Sequence, residues 1–237
     1  MSSADFDIDF DLRSDTPPGK DPDSLSPTLR RYHQRLWSKR LPSGQMFLLS
    51  TTVPGAYLHH ESDLGEFVLR SDGAIPAFTN RRGFAKITSA LTEEETTDFA
   101  RHCYTIGGRT VWPGRCIGGK NTINRARGLN RDIGDRFDLT IECVRRHYRG
   151  EPSPLADDLL RYARFFDLFG DFRGYTEFFL LQDLVSEDAS AVRFFMPFDD
   201  FADSPIPSSV EAFREYRARA REFISARAQR MSAYVNE

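Results

Sequence analysis

The chain predicts an α+β fold: a helix-rich single domain of about five to seven helices with a small, mainly antiparallel sheet. Three observations lead there. Apolar residues recur at helical spacing between recognisable caps, short β-type runs lie between turn residues, and the composition is that of a packed protein. Of 237 residues, 40% are hydrophobic and 28% charged, so the chain can bury a core. The 20 Phe against four Met make that core aromatic.

The elements follow in order. Asp5 to Leu12 alternates Asp with Phe6, Ile8, Phe10 and Leu12, the pattern of a half-buried strand. Residues 14–25, rich in Ser, Asp, Pro and Gly, read as a flexible acidic loop, so that 1–25 form an N-terminal strand and loop and 26–237 the globular domain. Ser26-Pro27 supplies an N-cap and a first-turn proline for a helix to about Lys39. Short strands fit 46–50 and 66–70. Thr92 with Glu95 is a capping box, opening a helix that carries Phe99, Cys103 and Ile106 and stops at Gly107-Gly108. Thr110–Trp112 fits a strand, and 121–127 a short helix ending at Gly128. The clearest helix runs from Ile133 to Tyr148, closed by Gly150. Ile133, Phe137, Ile141, Val144 and Tyr148 share one face, and Leu139 and Cys143 lie opposite. Its polar flanks hold Arg136, Thr140 and His147 on one side and Asp138, Glu142 and Arg145 on the other. Helices at 155–168 and 171–185, a strand at 192–196 and a helix from 208 to about 232 complete the reading.

No run approaches the ~20 apolar residues of a membrane span, and the start lacks a basic, then apolar, export signal. The three cysteines, Cys103, Cys116 and Cys143, are odd in number and include no CxxC, which disfavours a disulfide framework or zinc ribbon and points to a reducing, cytoplasmic setting. The net charge of −3 is unevenly spread. Residues 109–149 carry ten bases and four acids, while 1–25 carry seven acids and two bases, and 150–204 twelve acids and four bases. A basic middle between acidic neighbours fits either an anion site or pairing of the segments with each other.

Several constellations resemble chemistry and reduce to structure. Gly114-Arg-Cys-Ile-Gly-Gly-Lys120-Asn121 nearly spells a phosphate loop, but Asn121 stands where a magnesium-holding hydroxyl belongs. The alternating aspartates 5–11 lack the glycine of a calcium loop. His59 and His60 are adjacent in a strand and point to opposite faces, so they do not share a metal. Cys143 and His147 are four apart on one helix, but no third ligand is signalled. The aromatic belt 165–179 has one arginine and several acids, which suits a core rather than nucleic-acid stacking.

The strings Lys-Asp-Pro-Asp-Ser at 20–24, Ile-Gly-Gly-Arg at 106–109, Thr-Ile-Asn-Arg-Ala-Arg-Gly at 122–128, Asp-Arg-Phe-Asp-Leu-Thr at 135–140 and Phe-Phe-Leu-Leu-Gln-Asp-Leu at 178–184 resemble a bacterial domain-of-unknown-function family. The resemblance covers roughly 20–232. It implies a bacterial cytoplasmic protein built as one unit, and it implies no activity.

The remaining signal is arginine, which is nine of the ten bases in 109–149 and is preferred for bidentate recognition of carboxylate and phosphate. The leading expectation is a protein that binds a phosphorylated or anionic ligand, such as a nucleotide, on 109–147. Arg109, Asn124, Arg127 and Arg136 would hold the ligand, and His147 or Glu142 would move a proton if it is an enzyme. The alternative is a non-catalytic interaction module whose arginines form internal or intersubunit salt bridges, with a second copy as one candidate partner. Double-stranded DNA fits poorly with net negative charge. No metal is signalled, and the sequence does not specify a cofactor.

Overall fold

The computed structural model describes residues 6–75 and 84–237. It is α+β, as the sequence predicts. Ten α-helices occur among the described residues. The excess over five to seven comes from the one-turn segments α1 (Pro22–Leu25), α3 (Ala85–Thr88), α7 (Ala156–Leu160) and α8 (Ala163–Phe166). The longer helices are α2 (Pro27–Trp37), α4 (Glu93–Cys103), α5 (Ile123–Leu129), α6 (Phe137–Arg149), α9 (Phe172–Phe178) and α10 (Val210–Asn236). A two-stranded hairpin joins β1 (Lys39–Arg40) to β2 (Met46–Phe47). A three-stranded antiparallel sheet has the order β3 (Leu58–Ser62), β4 (Gly65–Gly73), β5 (Arg109–Pro113).

The capping signals act as the sequence implies. Ser26 accepts from Leu29 N, and Thr92 and Glu95 close a reciprocal capping box. Gly150 ends α6 in the left-handed conformation at φ 66°. The 27-residue α10 packs across α2, α4 and the 3₁₀ turn Ile106–Gly108. There the backbones nearly touch: a Cβ on Gly107 would lie 2.3 Å from the Ile224 carbonyl oxygen, so only glycine lets α10 sit this close. Arg227 of α10 is fully buried and ties the approach, donating to the carbonyls of Gly107, Arg109 and Phe179. One continuous apolar cluster includes Trp37, Trp112, Phe137, Phe165, Phe178, Phe179 and Phe223, so the aromatic belt is core.

The structure departs from the sequence reading in six places, one of them the end of α4, which stops at Cys103 and leaves Ile106 to the 3₁₀ turn. Residues 6–25 form turns and α1, not a strand. Leu12 and Phe6 are buried as expected, but the backbone folds on itself through Asp7 and Asp11, whose side chains accept from the amides two residues on. Aspartate is a turn former, and here it outweighs the alternation. Helix α6 begins at Phe137 rather than Ile133, because Gly134 and Asp135 both take positive φ. Helix α5 runs through Gly128 to Leu129. The segment 155–185 breaks into α7, α8, α9 and two 3₁₀ turns. The strand expected at 192–196 is a single bridge between Val185 and Val192.

Candidate functional site

Three of the six candidate residues meet at the end of β4. Asp23, presented by α1, accepts from Ser71 Oγ at 2.6 Å and from Arg109 Nη1 at 2.5 Å. One residue further along β4, Asp72 accepts from Arg127 Nη1 at 2.6 Å. The Asn124 amide, oriented with its nitrogen toward Asp72, donates to Oδ2 at 2.7 Å. Arg127 is fully buried and spends its fork on structure. It donates to the carbonyls of Gly73, Ala74 and Asp135 and pairs with the Asp135 carboxylate at 3.3 Å. Burial lifts the Asp72 carboxyl to about 7, against the pull of Arg127. Burial also raises Asp23, with Arg109 and Ser71 drawing it back. Burial lowers Arg127, but Asp135 and Asp72 more than restore it.

A hydrogen-bonded chain leads away from Asp23. Trp37 Nε1 meets His33 Nδ1 at 3.0 Å, and His33 Nε2 meets Ser71 Oγ at 3.0 Å. An indole N–H only donates, so His33 Nδ1 accepts and its hydrogen sits on Nε2. Ser71 therefore accepts from His33 and donates to Asp23. Burial, with Arg227 and Arg109 nearby, holds His33 well below its ordinary pKa, in keeping with a neutral ring. The set Asp23, Ser71 and His33 thus contains the residue types of a nucleophilic triad wired the wrong way. A general base needs a lone pair facing the serine hydrogen. Here the nitrogen facing Ser71 is a donor, and the serine hydrogen is held by the aspartate.

The other three candidates lie on or beside α6 with separate partners. Arg136 is almost fully buried and forks onto the equally buried Asp138, which also accepts from Phe195 N at 2.9 Å. Glu142 is held by Arg145 and Arg146 at 2.8 Å each. His147 packs its ring against Phe166, with centroids 5.1 Å apart, and burial lowers its pKa. So Arg109, Asn124 and Arg127 are brought together, while Arg136, Glu142 and His147 are not. The near-phosphate loop does run from β5 to α5, but Thr122 caps that helix with its own side chain.

Beside the Arg109 cluster lies a cavity of about 380 Å³. Its walls come from the end of β4, α3, α4 and α10, through Gly73, Ile75, Thr88, Leu91, Phe99 and Phe213. Arg109 borders it, stacked on the Tyr104 ring at 4.5 Å, and the buried Cys103 thiol faces it, pushed up to about 12 by desolvation. Opposite stands Arg217. Its guanidinium lies 4.7 Å from the Phe99 centroid and 5.5 Å from that of Phe213, and the residue is only 7% exposed. Among the described residues it forms no ion pair and no hydrogen bond. The neighbouring carboxylates are committed elsewhere: Glu95 to Arg214 at 2.8 Å and Asp98 to Arg221. Glu94 also borders this seam but is exposed and unpaired. Burial and Arg221 both lower the Arg217 pKa, while Glu95 raises it.

The sequence reading passed over Arg217. A signal was present: Arg214, Arg217 and Arg221 follow a three-and-four spacing on α10, and the helix they face offers Glu95 and Asp98 at one matching interval. Arg217 lies outside the densest arginine segment, 109–149.

Among the described residues, no group of three or more potential metal ligands occurs, and no helix is long and apolar enough to cross a membrane. No curated protein and no solved structure matches the chain. One family model does match, over residues 6–231, and the chain accordingly belongs to that family, a family of unknown function (DUF6994).

Proposed function

We propose that the protein binds a small anionic molecule with an apolar body in the cavity between α4, α10 and the end of β4. One observation carries the reading: Arg217, laid on the Phe99 and Phe213 rings, borders a largely apolar cavity and pairs with no carboxylate among the described residues. A cation held against apolar rings is partly desolvated and gains from an anionic partner. A ligand anion would supply the missing partner, and Phe99, Phe213, Leu91 and Ile75 would cover its hydrocarbon. The anion expected of the sequence is retained, but its principal holder moves from Arg127 and Arg136, which are spent on internal carboxylates, to Arg217. A carboxylate suits the site better than a nucleotide. A helix start would give a phosphate backbone N–H donors, and that of α4 beside the cavity is already closed by Thr92 and Glu95. The described lining holds no His, Asp or Glu, and its thiol is pushed up to about 12, so the reading is one of binding rather than turnover.

Calorimetry with octanoate and with 8-anilinonaphthalene-1-sulfonate tests this on the wild type and Arg217→Met, which keeps the apolar stem. Losing one charge-assisted contact should weaken binding by about 1.5–3 kcal/mol. Equal affinity in both proteins, or no binding to the wild type, would overturn the site.

A further inference from the structure

The two guanidiniums on this cavity differ in what they have left to give. Arg109 has its charge met: Nη1 is on Asp23, and Asp72 and Asp135 stand close behind with only Arg127 between them. Behind Arg109, three carboxylates face two guanidiniums. Its hydrogens are not exhausted, however. Nε is buried away from the cavity, but Nη2 donates to no described residue and remains accessible. Arg217 is the reverse case. On its seam Arg214 holds Glu95 and Arg221 holds Asp98, while the third carboxylate, Glu94, is exposed and pairs with none of the three guanidiniums, so Arg217 keeps its hydrogens and has no ion pair among the described residues. Cys103 lies on α4 between the two stacking rings, Phe99 and Tyr104, and both Arg109 and Arg217 act on its thiol.

Resting on the binding reading above, we infer that the ligand is a monocarboxylate whose apolar skeleton carries one neutral hydrogen-bond acceptor, a ketone or similar oxygen, at its far end. The carboxylate goes to Arg217, which has no ion pair among the described residues. The neutral oxygen goes to the free hydrogens of Arg109, where a second negative charge would face the carboxylates of Asp23 and Asp72. Arg217 stacks on Phe99 of α4 and Arg109 on the C-cap residue Tyr104, so the two groups sit at separate ends of the cavity, and an eight-carbon skeleton serves as the probe length. A dicarboxylate of that length is the ligand such a site would select against.

Three probes of equal chain length decide it: octanoate, 7-oxooctanoate and octanedioate, titrated into the wild type at pH 7.5. The ketone should bind about ten- to a hundredfold more tightly than octanoate, the return on one hydrogen bond to a charged donor. Octanedioate should bind more weakly than octanoate. Arg109→Lys keeps a cation for Asp23 but loses the fork, and should erase the advantage of the ketone while leaving octanoate bound. Octanoate and 7-oxooctanoate binding equally to the wild type would overturn the ligand class and leave the cavity reading intact. Octanedioate binding tightest would also overturn it, by showing positive charge at both ends. Failure of all three to bind would remove both the class and the reading on which it rests.

Discussion

At the end of β4, Arg109 and Arg127 meet Asp23, Asp72 and Asp135, while on the seam between α4 and α10, Arg214, Arg217 and Arg221 meet Glu95 and Asp98. Both regions bury arginine. In the first, every guanidinium has a carboxylate, and Arg127 also satisfies three carbonyls that the sheet and the loop before α6 would otherwise leave open. In the second, Arg217 borders the cavity without an ion pair among the described residues. A matched buried pair is evidence about folding, because breaking it strands a charge. An unmatched one costs stability and calls for another explanation.

The sharpest way to break this contrast is to remove Arg127. Arg127→Ala leaves Asp72 and Asp135 without their cation and should cost about 3–5 kcal/mol in denaturant unfolding. A loss under ~1 kcal/mol would mean that the cluster is not the fold-holding element described here.

The next effect is pH-dependent and belongs to Asp72. Its carboxyl keeps a proton up to about pH 7 when folded, against an ordinary value of 3.8. The folded state therefore binds more protons than the unfolded one between those limits. The contribution is complete below 3.8 and is lost as pH rises to about 7, with a slope of at most about 1.4 kcal/mol per pH unit. Asp72→Asn should flatten that slope. Parallel stability profiles of variant and wild type from pH 4 to 7 would show that Arg127 keeps Asp72 ionised throughout.

Arg217→Met should change stability by less than about 1 kcal/mol, because relief of an unpaired cation offsets the lost ring stacking. A loss as large as that of Arg127→Ala would place Arg217 among the structural arginines and erase the difference between the two regions. The smallest effect concerns the thiols. Cys103 and Cys143 are buried and held near 12, and Cys116 is exposed, so a thiol reagent should label one cysteine in the native protein and three after unfolding. Adding reductant should leave the melting temperature unchanged.

How much of this was legible in the sequence depends on the range of the interaction. Ser26, Thr92 with Glu95, and Gly150 act within four residues and were readable as caps. The Phe137 face of α6 was readable because its period is set by the helix itself. The 6–12 segment was misread because alternation and turn-forming aspartates gave opposite signals. At the site, the prominence of Arg109, Asn124 and Arg127 was visible, but their partners Asp23 and Asp72 lie 86 and 55 residues from Arg109 and Arg127. Pairing at that separation has no local signature. The same range effect hid Arg217, whose meaning depends on which carboxylates α4 brings across to α10.

The indole of Trp37 settles the direction of every hydrogen from His33 to Asp23. The ring nitrogen that it occupies is closed to protons while residues 6–25 stay docked, since Asp23 anchors the opposite end of the relay. His33 should consequently stay silent in a titration followed by nitrogen NMR, with one tautomer and constant shifts across the range where an ordinary histidine moves. The protein thus carries a native spectroscopic beacon: a His33 resonance that starts to respond to pH would announce that the N-terminal turn has let go of the sheet, before any global unfolding is seen.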